Sequence, residues 1–294
     1  MATDILTDVF EEHRPTLAAV AYRMLGRVAD AEDVVQDAWL RWTAQERDEV
    51  AEPRAYLVRI TTRLAVDRLR QIQSRRESYI GPWLPEPVLT DLGDSGPGDL
   101  ADHAVLAESI SIAVLVVLES LSPLERAVFV LREAFGYPYG EIAPILDRSP
   151  AAVRQLAGRA RRHVEERKPR YDVDPDECRD LTERFIAAAT GGDLAELLSL
   201  LAPEARFVGD GGGKAQAPPR VLEGADKIAR FLAAVSGNSR GLERRIVEVN
   251  GGLGFVALAD GKPDSVVQLG IAEGRIHCVY VVRNPDKLSG VATV

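Results

Sequence analysis

The chain has 294 residues, 46% of them hydrophobic, which is enough to bury a full core and predicts about two domains. Its net charge of −9 excludes a generic nucleic-acid coat protein, since such proteins are basic overall. An acidic start and the lack of any apolar run of roughly 20 residues predict a cytoplasmic protein that does not enter a membrane. The only two cysteines, Cys178 and Cys278, lie far apart, which excludes a disulfide framework, and we expect no metal or cofactor.

Residues 4–76 carry apolar side chains at helical spacing and predict a helical domain. In the stretch VADAEDVVQDAWLRW, residues 28–42, an apolar stripe carries Trp39 and Trp42. The other face presents Asp33, Gln36 and Asp37. Acidic surfaces do not bind DNA, so this face predicts either a protein partner or a helix that only contacts solvent.

The next helix is rich in arginine although the chain as a whole is acidic. Pro53 suits its first turn, and the helical pattern continues to Arg76. Leu57, Ile60, Leu64 and Leu69 are predicted to face inward. The residues predicted to face outward are Arg59, Thr62, Arg63, Arg70 and Arg75. This pattern favours contact with a nucleic-acid strand or a distorted duplex, the alternative being a helix whose arginines serve solubility.

Residues 78–102 are dense in Pro, Gly and Asp and predict an interdomain linker. Helical periodicity resumes near His103, and the segment from Ser122 to Glu125 predicts a capping box. The short helix GEIAPIL, the turn DRS and a second helix that begins at Pro150 follow. Two short helices joined by a tight turn predict a helix-turn-helix.

The second helix of this pair is a candidate for reading DNA bases. Its apolar stripe is predicted to pack inward, which leaves an outward set of Arg154, Gln155, Arg159 and Arg162. Arginine can bind guanine in the major groove and glutamine can bind adenine. Arg161, Arg167 and Lys168 are instead predicted to anchor phosphates.

From about residue 170 the pattern changes to two helices followed by short β-branched runs and one more helix. This order predicts an α+β domain, a curved antiparallel sheet wrapped on helices. Its loop GDGGGK, residues 209–214, is not a phosphate-binding P-loop, because Gly209 is too close to Gly213 and Ala215 replaces the required hydroxyl. We expect the glycines to let Lys214 approach another protein backbone closely.

Three segments in order, AEDVVQDAWLRW, PRAYLVRITTRLAVDRLR and LSPLERAVFVLREAFGYPYGEIAPILDRSPAAVRQLAGRARR, resemble the extracytoplasmic-function (ECF) sigma factors of RNA polymerase. The resemblance implies an all-α region 2 domain over 1–77, the linker 78–102 and an all-α region 4 domain over 103–169. It implies docking on core RNA polymerase by Asp33, Gln36, Asp37 and Trp39, −10 promoter contacts by Arg59, Thr62, Arg63 and Arg70, and −35 contacts by Arg154, Gln155, Arg159 and Arg162. Arg63 stands at a position often filled by Asn in the family.

Residues 170–294 resemble a SnoaL-like domain, an NTF2-like α+β cone that one sigma subgroup carries as an extension. Three motifs mark that subgroup and are complete here: WLPEP at 83–87, DGGGK at 210–214 and NPDKL at 284–288. The resemblance implies that the extension regulates the sigma factor in cis. The residues assigned to this regulation are Trp83, Glu86, Asp210, Lys214, Asn284, Asp286 and Lys287. We hypothesise that Trp83, Glu86, Lys214 and Asp286 lie near one interface, with an ion pair between Glu86 and Lys214; the alternative is that the motifs are separate loops with local turn roles. Whether the extension restrains or supports activity stays open.

A cone domain can also be an enzyme, with Asp210, His277 and Tyr280 as the candidate catalytic residues. Strand alternation places His277 and Tyr280 on opposite faces, so no catalysis is expected. A small apolar ligand in the cone is a further expectation. The alternatives to a sigma factor are a helix-turn-helix repressor and a cyclase or isomerase.

Overall fold

The structure is a computed structural model and describes residues 2–44, 52–76, 79–90, 111–167, 174–239 and 241–291. The chain forms two compact units. Among the described residues, the first unit contains 2–76 and 114–167, and the second contains 79–90, 111–113 and 174–291. None of the described helices is both long and apolar enough to cross a membrane.

The first unit begins with three helices, α1 (Ala2–Leu25), α2 (Val28–Thr43) and α3 (Pro53–Arg76). The predicted apolar stripe of α2 is buried, and Trp42 donates a hydrogen bond from Nε1 to the carbonyl of Leu6 at 2.9 Å. Leu57 and Leu69 of α3 are fully buried as predicted. These three helices confirm the predicted helical domain.

The described residues that follow form four more helices: α4 (Ile112–Leu118), which belongs to the first unit from residue 114 onward, and α5 (Pro123–Phe129), α6 (Tyr139–Leu146) and α7 (Pro150–Arg167), which lie in the first unit. A π-helical turn, Val130–Ala134, follows α5. The capping box is confirmed, since the hydroxyl of Ser122 accepts from the Glu125 amide and the Glu125 carboxylate accepts from the Ser122 amide. The predicted helical start near His103 lies outside the described residues. Helices α6 and α7 form the helix-turn-helix, and Asp147 adopts a left-handed conformation in its turn.

The two helical groups of the first unit pack on each other around a buried arginine. Arg126 is 1% exposed and donates from Nη1 to the carbonyl of Met24 and to Glu119, both at 2.7 Å. Burial lowers its pKa to about 9. A charge buried at this contact is costly to separate from its partners, so Arg126 ties α5 to the end of α1.

The described part of the second unit contains three α-helices and six strands. The helices are α8 (Pro175–Gly191), α9 (Leu194–Leu200) and α10 (Ala225–Val235). The strands are β1 (Leu201–Asp210), β2 (Leu222–Glu223), β3 (Glu243–Val249), β4 (Gly252–Ala259), β5 (Lys262–Ala272) and β6 (Arg275–Val282). The α+β class is therefore confirmed. Two 3₁₀ turns, Pro285–Lys287 and Ser289–Val291, follow β6.

The sheet has the strand order β2-β1-β6-β5-β4-β3, and its pairs are antiparallel except for β1 with β6, which run parallel. The prediction of an antiparallel sheet was wrong at this pair. The predicted helix DLAELLSLLA also stops early, because Leu201 and Ala202 already belong to β1. The parallel pair matters for function, because it brings Asp210 beside Val282 and the chain that follows it.

One face of this sheet packs on the three helices. Phe207, Phe255 and Val279 from the sheet belong to one buried core with Phe185 and Ile228 from the helices. Side chains alternate between faces along each strand, so the neighbours of these residues point to the other side of the sheet.

Candidate functional site

The acidic face of α2 is exposed, as the sequence predicts. Asp33, Gln36 and Asp37 all reach solvent. Asp33 also pairs with Arg68 at 3.3 Å, and a hydrogen bond from Arg68 to the buried Asp30, at 2.6 Å, raises the pKa of Arg68. These ion pairs brace α2 against α3 and leave the outer carboxylates available to a partner.

Two apolar residues of α2, Trp39 and Leu40, differ in how much of their side chain is exposed to a partner. Trp39 is half-buried, with its ring packed edge-on against Phe10 at 4.9 Å between centroids, so part of its surface already serves the protein's own core. Leu40 is 58% exposed and lies beside the acidic residues. Sequence reasoning missed Leu40, although its position off the apolar stripe was a readable signal. An exposed leucine among carboxylates fits a protein partner better than DNA.

The outer face of α3 carries a row of exposed residues, Arg59, Arg63, Asp67 and Arg70. Arg70 pairs with Asp67 at 2.9 Å, and the Arg59 guanidinium lies over the Tyr56 ring at 5.2 Å. The prediction that Thr62 faces outward was wrong. Thr62 is fully buried, because both helical groups of the unit cover α3, and its Oγ1 has no hydrogen-bond partner among the described residues. The side chain of Arg75 lies outside the described residues.

Arg63 is engaged by the helix-turn-helix. Its Nε donates to the carbonyl of Ile145 at 2.7 Å and its Nη2 to the carbonyl of Pro144 at 3.0 Å. Both carbonyls belong to α6, the helix before the recognition helix. In this state the central arginine of the α3 row is bonded to protein.

The recognition helix α7 presents the predicted set of residues. Arg154, Gln155, Arg159 and Arg162 are exposed, and Val153 is buried. Arg159 pairs with Glu125 at 2.7 Å. Burial would raise the pKa of Glu125, but hydrogen bonds from Ser122 and Arg159 outweigh it and lower that pKa. The capping box of α5 therefore also holds Arg159, one of the residues predicted to contact DNA bases. The side chain of Arg167 and all of Lys168 lie outside the described residues.

Within the second unit, residues 79–90 of the predicted linker bind at the end of β1 and β6. The centre of this contact is a set of six side chains that we call the linker cluster: Tyr79, Trp83, Asp210, Lys214, Asn284 and Lys287. Asp210 is 0% exposed and Lys287 is 2% exposed, and their charges meet at 2.7 Å. A buried ion pair of this kind requires further hydrogen bonds to be stable.

The linker supplies those hydrogen bonds. Asp210 accepts from the Leu84 amide at 2.8 Å and from the Tyr79 hydroxyl at 2.6 Å. Lys287 donates to the Leu84 carbonyl. The Nζ of Lys287 lies 4.0 Å from the Trp83 ring centroid, which is close enough for a cation–π interaction. Thus one ion pair of the second unit holds both backbone groups of Leu84 and two aromatic rings of the linker.

The predicted ion pair between Glu86 and Lys214 was wrong, because Lys214 pairs with Asp286. That pair is about half exposed, whereas Glu86 is only 5% exposed. The three motifs do meet, as hypothesised, but the charge that lies against the linker is Lys287. Lys214 lies at the edge of the cluster and ties the glycine loop to the 3₁₀ turn.

The glycine run is packed against the linker. Gly212 and Gly213 have φ of +57° and +71°, values that residues with side chains rarely adopt. A Cβ on Gly212 would lie 2.3 Å from the Asn284 amide nitrogen, and one on Gly213 would lie 2.9 Å from Ile80. The loop therefore differs from the expectation: the glycines themselves approach the side chains of Asn284 and Ile80, and Lys214 contacts the Asp286 carboxylate rather than a backbone.

A second anchor holds the other end of residues 79–90. The Val88 amide donates to Asn250 Oδ1 at 3.1 Å, and the Asn250 amide donates back to the Val88 carbonyl at 2.8 Å. Leu89 forms a β-bridge with Val249. The only sequence signal near this anchor is Asn250-Gly251, which predicts a hairpin turn and no contact with the linker.

None of the three candidate catalytic residues lines the cavity found in the described part of the second unit. The second unit contains a cavity of about 270 Å³ on the helix-covered face of the sheet, and Asp210, His277 and Tyr280 are not among its lining residues. Asp210 is committed to the linker cluster, and His277 pairs with Glu204 at 3.1 Å. No group of three or more His, Cys, Asp or Glu among the described residues could hold a metal ion.

Comparison with known proteins agrees with this arrangement. Residues 9–76 match the family Sigma-70 region 2, and residues 111–164 match Sigma-70, region 4. The chain is 41% identical to the ECF RNA polymerase sigma factor SigJ of Mycobacterium tuberculosis, over 96% of this chain and 92% of that protein. This chain belongs to the ECF sigma factors. Sigma factors of this family bind core RNA polymerase and promoter DNA and are transcription factors, not enzymes.

One further relative and one solved structure agree with this assignment. This chain is 33% identical to the ECF RNA polymerase sigma factor SigG of M. tuberculosis, over 66% of this chain and 58% of that protein. The crystal structure of M. tuberculosis SigJ matches with a TM-score of 0.75 at 37% identity, covering 97% of this chain and 98% of that one. The similarity to SigJ thus includes the second unit as well as the two sigma regions.

Proposed function

We propose that the second unit regulates this sigma factor in cis by holding the linker between regions 2 and 4. The observation that carries the proposal is the Asp210–Lys287 pair, which is buried, charged and bonded to both backbone groups of Leu84. A surface that only covered the linker would not need a desolvated ion pair at its centre.

We further propose that this regulation is a restraint. Contact of Arg63 with −10 DNA requires its bonds to Ile145 and Pro144 to break, which separates region 2 from α6 of region 4. Residues 79–90 form part of the segment that connects the two regions, and they are fixed at the linker cluster and at Asn250. A connection fixed at two points limits how far the regions can move apart.

Three exposed surfaces of the first unit are assigned to core polymerase, to −10 DNA and to −35 DNA. Asp33, Gln36 and Asp37, with Leu40 and the exposed part of Trp39, form the proposed docking face for core polymerase. Arg59, Arg63 and Arg70 are the proposed −10 contacts. The proposed −35 contacts are Arg154, Gln155, Arg159 and Arg162, all exposed on α7.

Removal of the last motif tests the proposed restraint. Deleting residues 284–294 removes Lys287 and Asn284 from the linker cluster. Run-off transcription with purified core polymerase should then increase relative to the full chain. Loss of transcription by a deletion variant that still binds polymerase would show that the second unit is instead a required brace.

We also propose that a small-molecule signal acts on this regulation at the cavity of the second unit. The cavity is lined by Gly209 and Arg283, which are the chain neighbours of Asp210 and Asn284 in the linker cluster. A ligand there would contact the segments that hold the linker.

A further inference from the structure

The cavity of the second unit has an apolar part formed by aromatic rings. Four phenylalanines from α8, β1, α10 and β4 line it: Phe185, Phe207, Phe231 and Phe255. Phe207 and Phe231 meet edge to face, with centroids 5.3 Å apart. Aromatic walls of this kind favour a flat apolar ligand, because rings pack well in offset or edge-on contacts. At about 270 Å³, the cavity is smaller than a site for a drug-sized ligand.

The polar part of the cavity carries two arginines and one carboxylate, Arg244, Arg283 and Asp264. Arg283 donates to Asp264 at 2.7 Å and to the Gln216 carbonyl at 2.9 Å. Arg244 donates from Nη1 to the Leu242 carbonyl at 2.9 Å, and burial lowers its pKa. The ionisable groups that line the cavity therefore sum to one positive charge.

Strand alternation places the Arg244 side chain on the opposite face of β3 from Glu243 and Arg245. Glu243 and Arg245 are exposed and pair with each other at 2.7 Å, whereas Arg244 is half-buried and lines the cavity. A partly desolvated guanidinium at the edge of an aromatic cavity favours an anion with a planar, two-oxygen face, because the fork of arginine matches that geometry.

We propose that this cavity binds a small aromatic carboxylate, with its ring among the four phenylalanines and its carboxylate on Arg244. The net single positive charge of the lining matches a monoanion. An uncharged ring would fill the apolar part without using Arg244, and a larger polyanion would exceed both the charge and the volume of the site.

Binding at this site is coupled to the linker cluster through shared segments. Arg283 lines the cavity, and its amide donates to the Asp210 carbonyl at 2.7 Å. Gln216 and Pro218 also line the cavity and follow the glycine loop that packs on the linker. The effect on transcription rests on the proposed restraint, but the binding itself does not.

The test uses the full chain, without polymerase, and 2-naphthoate as the probe. Isothermal titration should show one saturable site that binds 2-naphthoate about tenfold more tightly than the neutral 2-naphthalenemethanol. Arg244→Met should remove this preference. Arg245→Met, on the same strand but facing away, is the matched control and should preserve it. Val281→Phe fills the cavity and should abolish binding of both probes, with folding of each variant checked by circular dichroism.

The proposal would be overturned if the folded protein bound neither probe, or if it bound both probes with equal affinity. It would also be overturned if Arg244→Met or Val281→Phe still preferred 2-naphthoate as the wild type does. Hydrogen exchange of residues 79–90 then tests the coupling: 2-naphthoate should change it in wild type and not in Val281→Phe. Binding without any such change would overturn the coupling alone. Because transcription is not measured, failure of the proposed restraint cannot be confused with failure of this site.

Discussion

Lys287 gives the most direct physical test of the linker cluster. The substitution Lys287→Met keeps the length of the side chain and removes its charge. Asp210 would then be a fully buried carboxylate without its cation, although Tyr79 and the Leu84 amide would still donate to it. Removing one partner of a buried ion pair costs about 3–5 kcal/mol, because the remaining charge is left uncompensated in a medium of low dielectric constant.

Hydrogen exchange of the Leu84 amide measures this loss of stability, since the amide donates to Asp210 at 2.8 Å. Its hydrogen exchange becomes faster as the linker opens more often, and each 1.4 kcal/mol corresponds to about tenfold. Lys287→Met should therefore speed exchange of the Leu84 amide by roughly a hundredfold to a few thousandfold. Amide exchange followed by NMR on the full chain measures this directly.

Lys214→Met is the matched control, because it removes the other lysine–aspartate pair of the cluster. That pair is about half exposed, and exposed ion pairs contribute little, so Leu84 exchange should change by less than about fivefold. The buried pair does not hold the linker if Lys287→Met and Lys214→Met change the rate of Leu84 exchange equally. The same conclusion follows if Leu84 exchanges at the wild-type rate in Lys287→Met.

Three further predictions concern the first unit. Arg159→Ala should weaken promoter use by about 1–3 kcal/mol and relax specificity at one −35 base pair, measured by competition transcription on single-base variants; an even loss across all variants would instead indicate a phosphate contact. Thr62→Val should leave promoter use unchanged and raise the melting temperature, because it removes a buried hydroxyl without a partner among the described residues; weaker −10 recognition would restore Thr62 to the DNA contacts. Leu40→Asp should lower affinity for core polymerase by about tenfold in a pull-down titration, and Leu198→Asp, on the second unit, serves as its control; equal affinity would remove Leu40 from the docking face.

Local patterns in the sequence predicted local structure well. The capping box at Ser122 and the exposed set on α7 follow from residues within one or two helical turns, where spacing alone decides the geometry. The motif resemblance also predicted correctly that the linker, the glycine loop and the last motif lie together. Each of these inferences needed only neighbours in sequence or a family pattern.

The errors arose where distant segments meet. Lys287 rather than Lys214 lies against the linker because β1 and β6 run parallel, which places Asp210 and the turn after Val282 at the same edge of the sheet. The sequence predicted an antiparallel sheet and could not reveal this. Thr62 was misplaced for a related reason: spacing along α3 cannot show that a second group of helices covers the side predicted to face solvent.

The central claim is that the second unit restrains this sigma factor through the linker cluster. Run-off transcription with purified core polymerase, comparing wild type, Lys287→Met and Lys214→Met at equal polymerase occupancy, tests it most directly. The account predicts more promoter-specific transcript from Lys287→Met and a wild-type amount from Lys214→Met. Less transcript from a folded Lys287→Met protein would contradict the account, because the held linker would then support initiation.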